Sequence, residues 1–199
     1  RERAATAREF ELDPSKRIIV YTREAIEHYA MISRVTDHNI IRMVLSATTE
    51  QENAQVILKL HPRDSVDYYQ WVATEFPEVM QVHHCDFYKL IAISDVYLSQ
   101  ASSTTRWAVQ LSKPVILLGM AHLEGTGLAA QQLGLTPVTS AEALGSALQR
   151  ALSNGSVPES QQVKELRSQV DGKAIDRILD LAGLPKIRQG ESSAVGTYP

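Results

Sequence analysis

The segment Ser99-Gln100-Ala101-Ser102-Ser103-Thr104-Thr105 crowds hydroxyls between a β-rich apolar run and a stretch of helical spacing. A strand ending there and a helix starting there would aim main-chain N–H groups, the positive end of the helix dipole and several hydroxyls at one point. That arrangement suits a phosphate or diphosphate, with Ser102, Ser103 and Thr104 as its cradle. Plain helix capping by Ser102 or Ser103 explains the same pattern without a ligand. His61-Pro62-Arg63 closes another apolar run, where His61 can donate to a phosphate or hydroxyl and Arg63 can supply charge. A histidine before proline at a strand end also serves simply as a turn residue satisfied by backbone. Arg23, just beyond the first apolar run, is a further candidate, against a surface arginine paired with Glu24 or Glu27.

Gly125-Thr126-Gly127-Leu128-Ala129-Ala130 fits G-x-G-x-x-A. A dinucleotide fingerprint belongs in the first strand-helix turn, whereas this one comes late, and Glu142 lies too near to serve as its ribose acid. The expected use of Gly125, Thr126 and Gly127 is a loop whose backbone closely approaches a sugar or phosphate. His83-His84-Cys85-Asp86 looks like a metal tract, but on a strand alternate side chains face opposite ways, so no metal site is expected. G-x-S-x-G, H-E-x-x-H, Walker A and C-x-x-C motifs are absent, which removes the usual support for hydrolase, metalloprotease and ATPase readings.

Elements must position these groups, and 199 residues, 44% apolar and 22% charged, suffice for a packed domain with extensions. A net charge of −3 leaves no general field for a nucleic acid or an anionic membrane, so any anion site is local. The lone Cys85 excludes an internal disulfide and fits a reducing compartment. No apolar run approaches the roughly 20 residues of a membrane span or forms a secretory signal, so the chain reads as cytoplasmic, with any membrane association peripheral and made through a parent protein. It begins at Arg1 in a charged segment, as expected of a piece of something longer.

Short β-rich runs alternate with helical patterns, the signature of a parallel sheet covered by helices. The strand candidates are Arg17 to Thr22, Gln55 to Leu60, Val79 to His83, Asp95 to Ser99, Val115 to Leu118 and the short Thr136-Pro137-Val138. Asp37 or Asn39 is expected to cap the helix after the first strand, and Thr139-Ser140 another near Leu144 and Leu148. The expectation is an α/β, doubly wound, mostly parallel Rossmann-like sheet of about six strands with helices on both faces. Ligands bind at the carboxyl ends of such strands. Residues 1–15 are expected to form a linker or interdomain helix, 16–183 the binding domain and 184–199 a loose tail.

The strings Ile57-Leu58-Lys59-Leu60-His61-Pro62-Arg63, Ser94-Asp95-Val96-Tyr97-Leu98-Ser99, Ser102-Ser103-Thr104 and Lys113-Pro114-Val115-Ile116 resemble the C-terminal half of a GT-B enzyme. Capsule and teichoic-acid glycosyl or glycerophosphate transferases and hydrolysing UDP-N-acetylglucosamine 2-epimerases are the families in question. Asp171 to Ile178 resembles their terminal helix. The resemblance implies the donor-binding half of a glycosyltransferase of bacterial-type surface polysaccharide synthesis, with a nucleotide-activated sugar as substrate and no cofactor or metal. An N-terminal GT-B domain, in cis or on a partner chain, would supply the acceptor site. By the same resemblance His61 and Arg63 sit at the donor, Ser102, Ser103 and Thr104 hold its phosphates, Gly125 to Gly127 border the transferred group, and Arg23 matches a basic position after the first strand. Many relatives carry a ribose-holding glutamate where this chain reads Arg106-Trp107-Ala108, so a CMP or CDP donor is as admissible as UDP. The epimerases' paired glycines are missing from the phosphate turn, which favours a transferase over an epimerase. A non-catalytic nucleotide-binding or assembly module is the third possibility.

Overall fold

In the computed structural model the described residues are 2–24, 32–100, 102–121, 124–154 and 161–168, with Lys173 and Leu181 singly. The chain divides into two compact units, Arg1–Arg167 and Ser168–Pro199, and the elements below belong to the first, up to the final residue of the last helix. They run α1 (Glu2–Glu9), β1 (Arg17–Thr22), α2 (Arg34–Thr49), β2 (Ala54–Lys59), a 3-10 helix (Val66–Tyr69) leading into α3 (Gln70–Glu75), and β3 (Met80–Val82). Then follow α4 (Phe87–Ile93), β4 (Val96–Ser99), α5 (Ser103–Gln110), β5 (Val115–Leu117), α6 (Glu124–Leu133), α7 (Ala141–Asn154) and α8 (Gln161–Ser168).

The strands form one all-parallel sheet in the order β3-β2-β1-β4-β5. Its β-branched central strands are apolar on both sides and must be covered on both. Alternation along β1 sends Ile19 and Tyr21 into one core layer and Ile18 and Val20 into the other. In the first layer Ile41, Val44 and Leu45 of α2 pack with Leu144 and Leu148 of α7. In the second, Leu90 and Ile91 of α4, Ala108 and Val109 of α5, Leu133 of α6 and Ala7 of α1 meet the sheet. The chain thus leaves β1 toward one face and β4 toward the other. Since β1 and β4 are neighbours, this opens a crevice at their carboxyl ends.

The doubly wound parallel sheet is as expected, but it has five strands rather than six. Thr136-Pro137-Val138 makes a single parallel bridge, Val138 to Leu118. Val138 donates to the Leu117 carbonyl (2.8 Å) and Gly119 to the Val138 carbonyl (2.7 Å), while Pro137 has no N–H with which to extend the ladder. The cap of α2 is also elsewhere: Ser33 Oγ accepts from the Thr36 N–H, which places Asp37 inside the first turn, where it is buried. Ser140, by contrast, does accept at the start of α7, from the Ala143 N–H. Of the terminal-helix segment, 171–178, only Lys173 is described, and 184–199 lies outside the described residues.

Gly119 packs where the sheet meets this bridge, and a Cβ there would stand 2.9 Å from the Pro137 Cβ. Gly119→Ala is expected to lose about 1–3 kcal/mol by overpacking, measured by denaturant unfolding. An unchanged midpoint would show that the 137–139 segment yields freely.

Candidate functional site

The crevice is a cleft of about 470 Å³. Thr22, Arg23 and Glu24 enter it from the end of β1, and Lys59, Leu60, His61 and Pro62 from the end of β2. His83, His84 and Cys85 follow β3, and Ser102, Ser103 and Thr104 open α5. Phe87 and Trp107 supply an apolar wall, with their rings 6.4 Å apart and Trp107 41% exposed.

The α5 end is anchored by a run of hydroxyls across the β1–β4 junction. Thr22 Oγ1 donates to the Tyr97 hydroxyl (3.2 Å), Tyr97 meets Thr104 Oγ1 (2.7 Å), and Thr104 donates to Ser102 Oγ (2.9 Å). Ser102 is the N-cap, accepting from the Thr104 N–H, and its hydroxyl is bonded to the Glu24 carboxylate. Burial pushes the Tyr97 phenol up to about 12, so it stays a donor in this run. Behind it Ser99 Oγ meets Thr105 Oγ1 (2.9 Å). Two polar groups here are enclosed and lack partners: Glu24 Oε1 and both amide atoms of the fully buried Gln100. Such atoms are the groups a bound polar ligand or water would satisfy.

Residues 61–64 form a tight turn with Pro62 at the position that its fixed φ favours. The Asp64 N–H donates to the His61 carbonyl (2.9 Å), and the His61 N–H donates to Asp64 Oδ2 (3.0 Å). His61 Nδ1 accepts from the Arg63 N–H (3.1 Å). Arg23, expected to offer its charge to a ligand, has its guanidinium shut off from solvent. It donates to the Tyr21 hydroxyl (2.8 Å), is paired with Asp37, and reaches the Tyr69 hydroxyl. Its ion-pair partner is therefore Asp37 rather than Glu24, and Glu27 lies outside the described residues. Arg23 lies two residues beyond Tyr21 and so shares its side of the sheet, the α2 side, where Asp37 is buried.

Lys59, 6% exposed, also lines the cleft, beside His61. Its Nζ donates to the Leu60 (2.6 Å) and His83 (2.9 Å) carbonyls and lies 5.3 Å from the centre of the Phe87 ring. Burial lowers its pKa, against the opposing pull of Cys85 and Asp64. The Cys85 thiol is raised by burial, which keeps it a thiol rather than a thiolate nucleophile.

Of the residues singled out from sequence, the cleft gathers Arg23, His61, Ser102, Ser103 and Thr104. Arg63 is exposed and outside the lining. Thr126 and Gly127 also lie outside it, and Gly125, Thr126 and Gly127 form the first turn of α6 rather than the expected loop. A Cβ on Gly127 would meet no protein atom within 4 Å. His83, His84 and Cys85 follow β3 in bends instead of sitting on it, so strand alternation does not separate them, and all three line the cleft. No metal-holding cluster occurs among the described residues. Lys59, Glu24, Phe87 and Trp107 are the cleft residues that sequence reasoning passed over. A signal existed for Lys59: in Val56-Ile57-Leu58-Lys59-Leu60 it is the one charge in a buried run, at its carboxyl end.

No family model matches the sequence, and no curated protein matches it either. Solved structures do match. The UDP-GlcNAc 2-epimerase from Neisseria meningitidis bound to UDP-GlcNAc is 13% identical with a TM-score of 0.59, over 89% of this chain and 47% of that one. The wall teichoic acid polymerase TagF soaked with CDPG is 14% identical with a TM-score of 0.58, over 92% and 45%. The spinosyn forosaminyltransferase SpnP is 17% identical with a TM-score of 0.56, over 88% and 46%. The chain thus spans less than half the length of each of these structures, and it has the Rossmann-like fold of a GT-B half. No helix among the described residues is long and apolar enough to cross a membrane.

Burial raises the Glu24 carboxyl above its ordinary 4.5, with the Ser102 bond and Arg23 opposing and Asp64 adding to the rise. The native state therefore holds a proton that the unfolded chain releases near pH 4.5, and stability falls as pH climbs from there through the native pKa. Glu24→Gln is expected to melt with wild type below the unfolded-state pKa and progressively above it at higher pH. A melting difference that stays constant with pH would contradict this.

Proposed function

We propose that the cleft binds a nucleotide-activated sugar or polyol by its phosphates, as the donor-binding half of a GT-B glycosyltransferase of bacterial-type surface polysaccharide synthesis. A second GT-B half, in cis or on a partner chain, completes the enzyme, bringing the acceptor and the catalytic base, and the cytoplasm is where the donor is met. The reading rests on one observation: the amino end of α5, His61 and Lys59 converge on a single cleft at the sheet's topological switch point. The likeness to structures holding UDP-GlcNAc or soaked with CDPG supports a UDP-, CDP- or CMP-linked donor.

As the nucleotide phosphate leaves, its growing negative charge is met by groups already in place. These are the positive end of the α5 dipole with the Ser103 N–H, His61, and the Lys59 cation. His61 and Lys59 are held by the hydrogen bonds described above, and the end of α5 by its Ser102 cap. Phe87 and Trp107 offer ring faces to the base or sugar. The enclosed Glu24 oxygen is an acceptor for a ligand hydroxyl, a role that Arg106-Trp107-Ala108 leaves unfilled on α5. A hydrolysing 2-epimerase is the second reading, favoured by the epimerase likeness. It requires isomerisation of a UDP-sugar without acceptor.

Trp107 lines the cleft and Trp71 does not, so a Trp71→Phe background reports the cleft alone. Titration with UDP, CDP and CMP is expected to quench its fluorescence saturably with at least one of them. Ser102→Ala and His61→Ala are each expected to weaken that binding by up to roughly tenfold. A flat response to all three nucleotides would overturn the reading.

A further inference from the structure

We infer that Asp64 is a positioning residue, which holds the 61–64 turn so that His61, which lines the cleft, carries its proton on Nε2. The inference deepens the proposed function and rests on it only for the identity of the ligand. A neutral imidazole has one donor and one acceptor nitrogen, and the hydrogen bond at one nitrogen decides the other. Here His61 Nδ1 accepts from the Arg63 N–H, so the proton belongs on Nε2. That N–H can point at Nδ1 only while the turn is closed. Closure is made twice by Asp64: its N–H donates to the His61 carbonyl, and its Oδ2 accepts from the His61 N–H.

Asp64 is itself fixed from behind. It is 6% exposed, and the Tyr69 hydroxyl donates to its Oδ2 at 2.9 Å. Tyr69 is bonded in turn to Arg23, and Arg23 to Asp37, whose other oxygen accepts from the Tyr68 hydroxyl at 3.1 Å. A relay of buried polar groups therefore runs from the first turn of α2 to the histidine. Enclosing a carboxylate costs free energy, more so here because Oδ1 lacks a donor. A neutral capping residue would avoid that cost; the charge supplies a stronger hold on the His61 N–H. A histidine locked as an Nε2–H donor matches an anionic or hydroxyl-bearing ligand and is unsuited to abstracting a proton from it.

Two-bond 1H–15N spectra of the imidazoles, recorded without nucleotide at a pH where they are neutral and assigned with His61→Gln, read the tautomer directly. Wild type is expected to show His61 as Nε2–H. Asp64→Ala is expected to mix the two tautomers and to weaken UDP binding by up to roughly tenfold. Asp64→Asn, whose amide oxygen can accept from the same N–H, is expected to restore the tautomer and most of the affinity. A wild-type ring carrying its proton on Nδ1, or a folded Asp64→Ala with an unchanged His61 spectrum, would overturn the inference. Altered tautomers with unaltered UDP affinity would overturn its link to the ligand. Should Asp64→Ala not fold, Tyr69→Phe removes one donor from Asp64 and is expected to shift the His61 Nδ1 resonance; no shift would overturn the inference. Failure of wild type to bind any nucleotide would count against the proposed function alone, since the tautomer is read without one.

Discussion

The pairing of β1 with β4 is the contact on which the cleft depends. Ile19, Val20 and Tyr21 stand in register with Val96, Tyr97 and Leu98, yet the chain leaves the two strands toward opposite faces. Backbone hydrogen bonds hold the strands together, while the departing segments must separate. The gap between them is therefore a consequence of topology and needs no special residues to open it. Special residues are needed to keep it polar and ordered. The hydroxyls of Thr22, Tyr97, Thr104 and Ser102 do so by tying the tip of β1 to the first turn of α5. Thr104 donates to Ser102, whose hydroxyl is bonded to Glu24, so the run ends on a carboxylate that polarises it.

Charge is arranged in depth around this junction. Arg23 lies in the interior with Asp37 and two tyrosines, where it positions groups and is not exposed to solvent. Lys59 lines the cleft, but its ammonium is bonded to two carbonyls and stacked near Phe87. A cation so confined keeps its direction and loses little freedom when an anion arrives, unlike a surface arginine that must first be ordered. The same confinement lowers its pKa, so part of its charge stabilisation has been exchanged for placement.

The sheet was legible from sequence because its strands are apolar on both faces, and runs such as Arg17 to Thr22 and Val115 to Leu118 have no other use in a chain of this composition. The polar turn before α5 was legible for a local reason: hydroxyls before a helical pattern predict a cap, and Ser102 is that cap. What escaped was set by distant partners. Arg23 reads as a surface cation until Ser33, and not Asp37, is known to cap α2. Thr136-Pro137-Val138 reads as a strand by composition, but strand formation also requires donors, and Pro137 has none. Glycine spacing misled at Gly125-Thr126-Gly127, because G-x-G marks a loop only where a strand feeds it directly.

Phe87 and Trp107 show why the apolar part of the cleft was the hardest to foresee. Each sits at a helical position that a core would also fill, and periodicity alone gives an aromatic residue to the interior. Phe87 does pack partly against the second core layer. Trp107 is left exposed because α5 buries Thr105, Ala108 and Val109, and a residue two positions from Thr105 and one from Ala108 on a 3.6-residue turn points away from them. The same turn carries Ser103 and Thr104 to the cleft. One helix therefore presents the positive end of its dipole and hydroxyls at its tip and an indole a turn later, a polar end and an apolar flank about 5–6 Å apart along the axis. A ligand with an anionic group joined to a flat ring system has that division of character, and bare phosphate has only half of it.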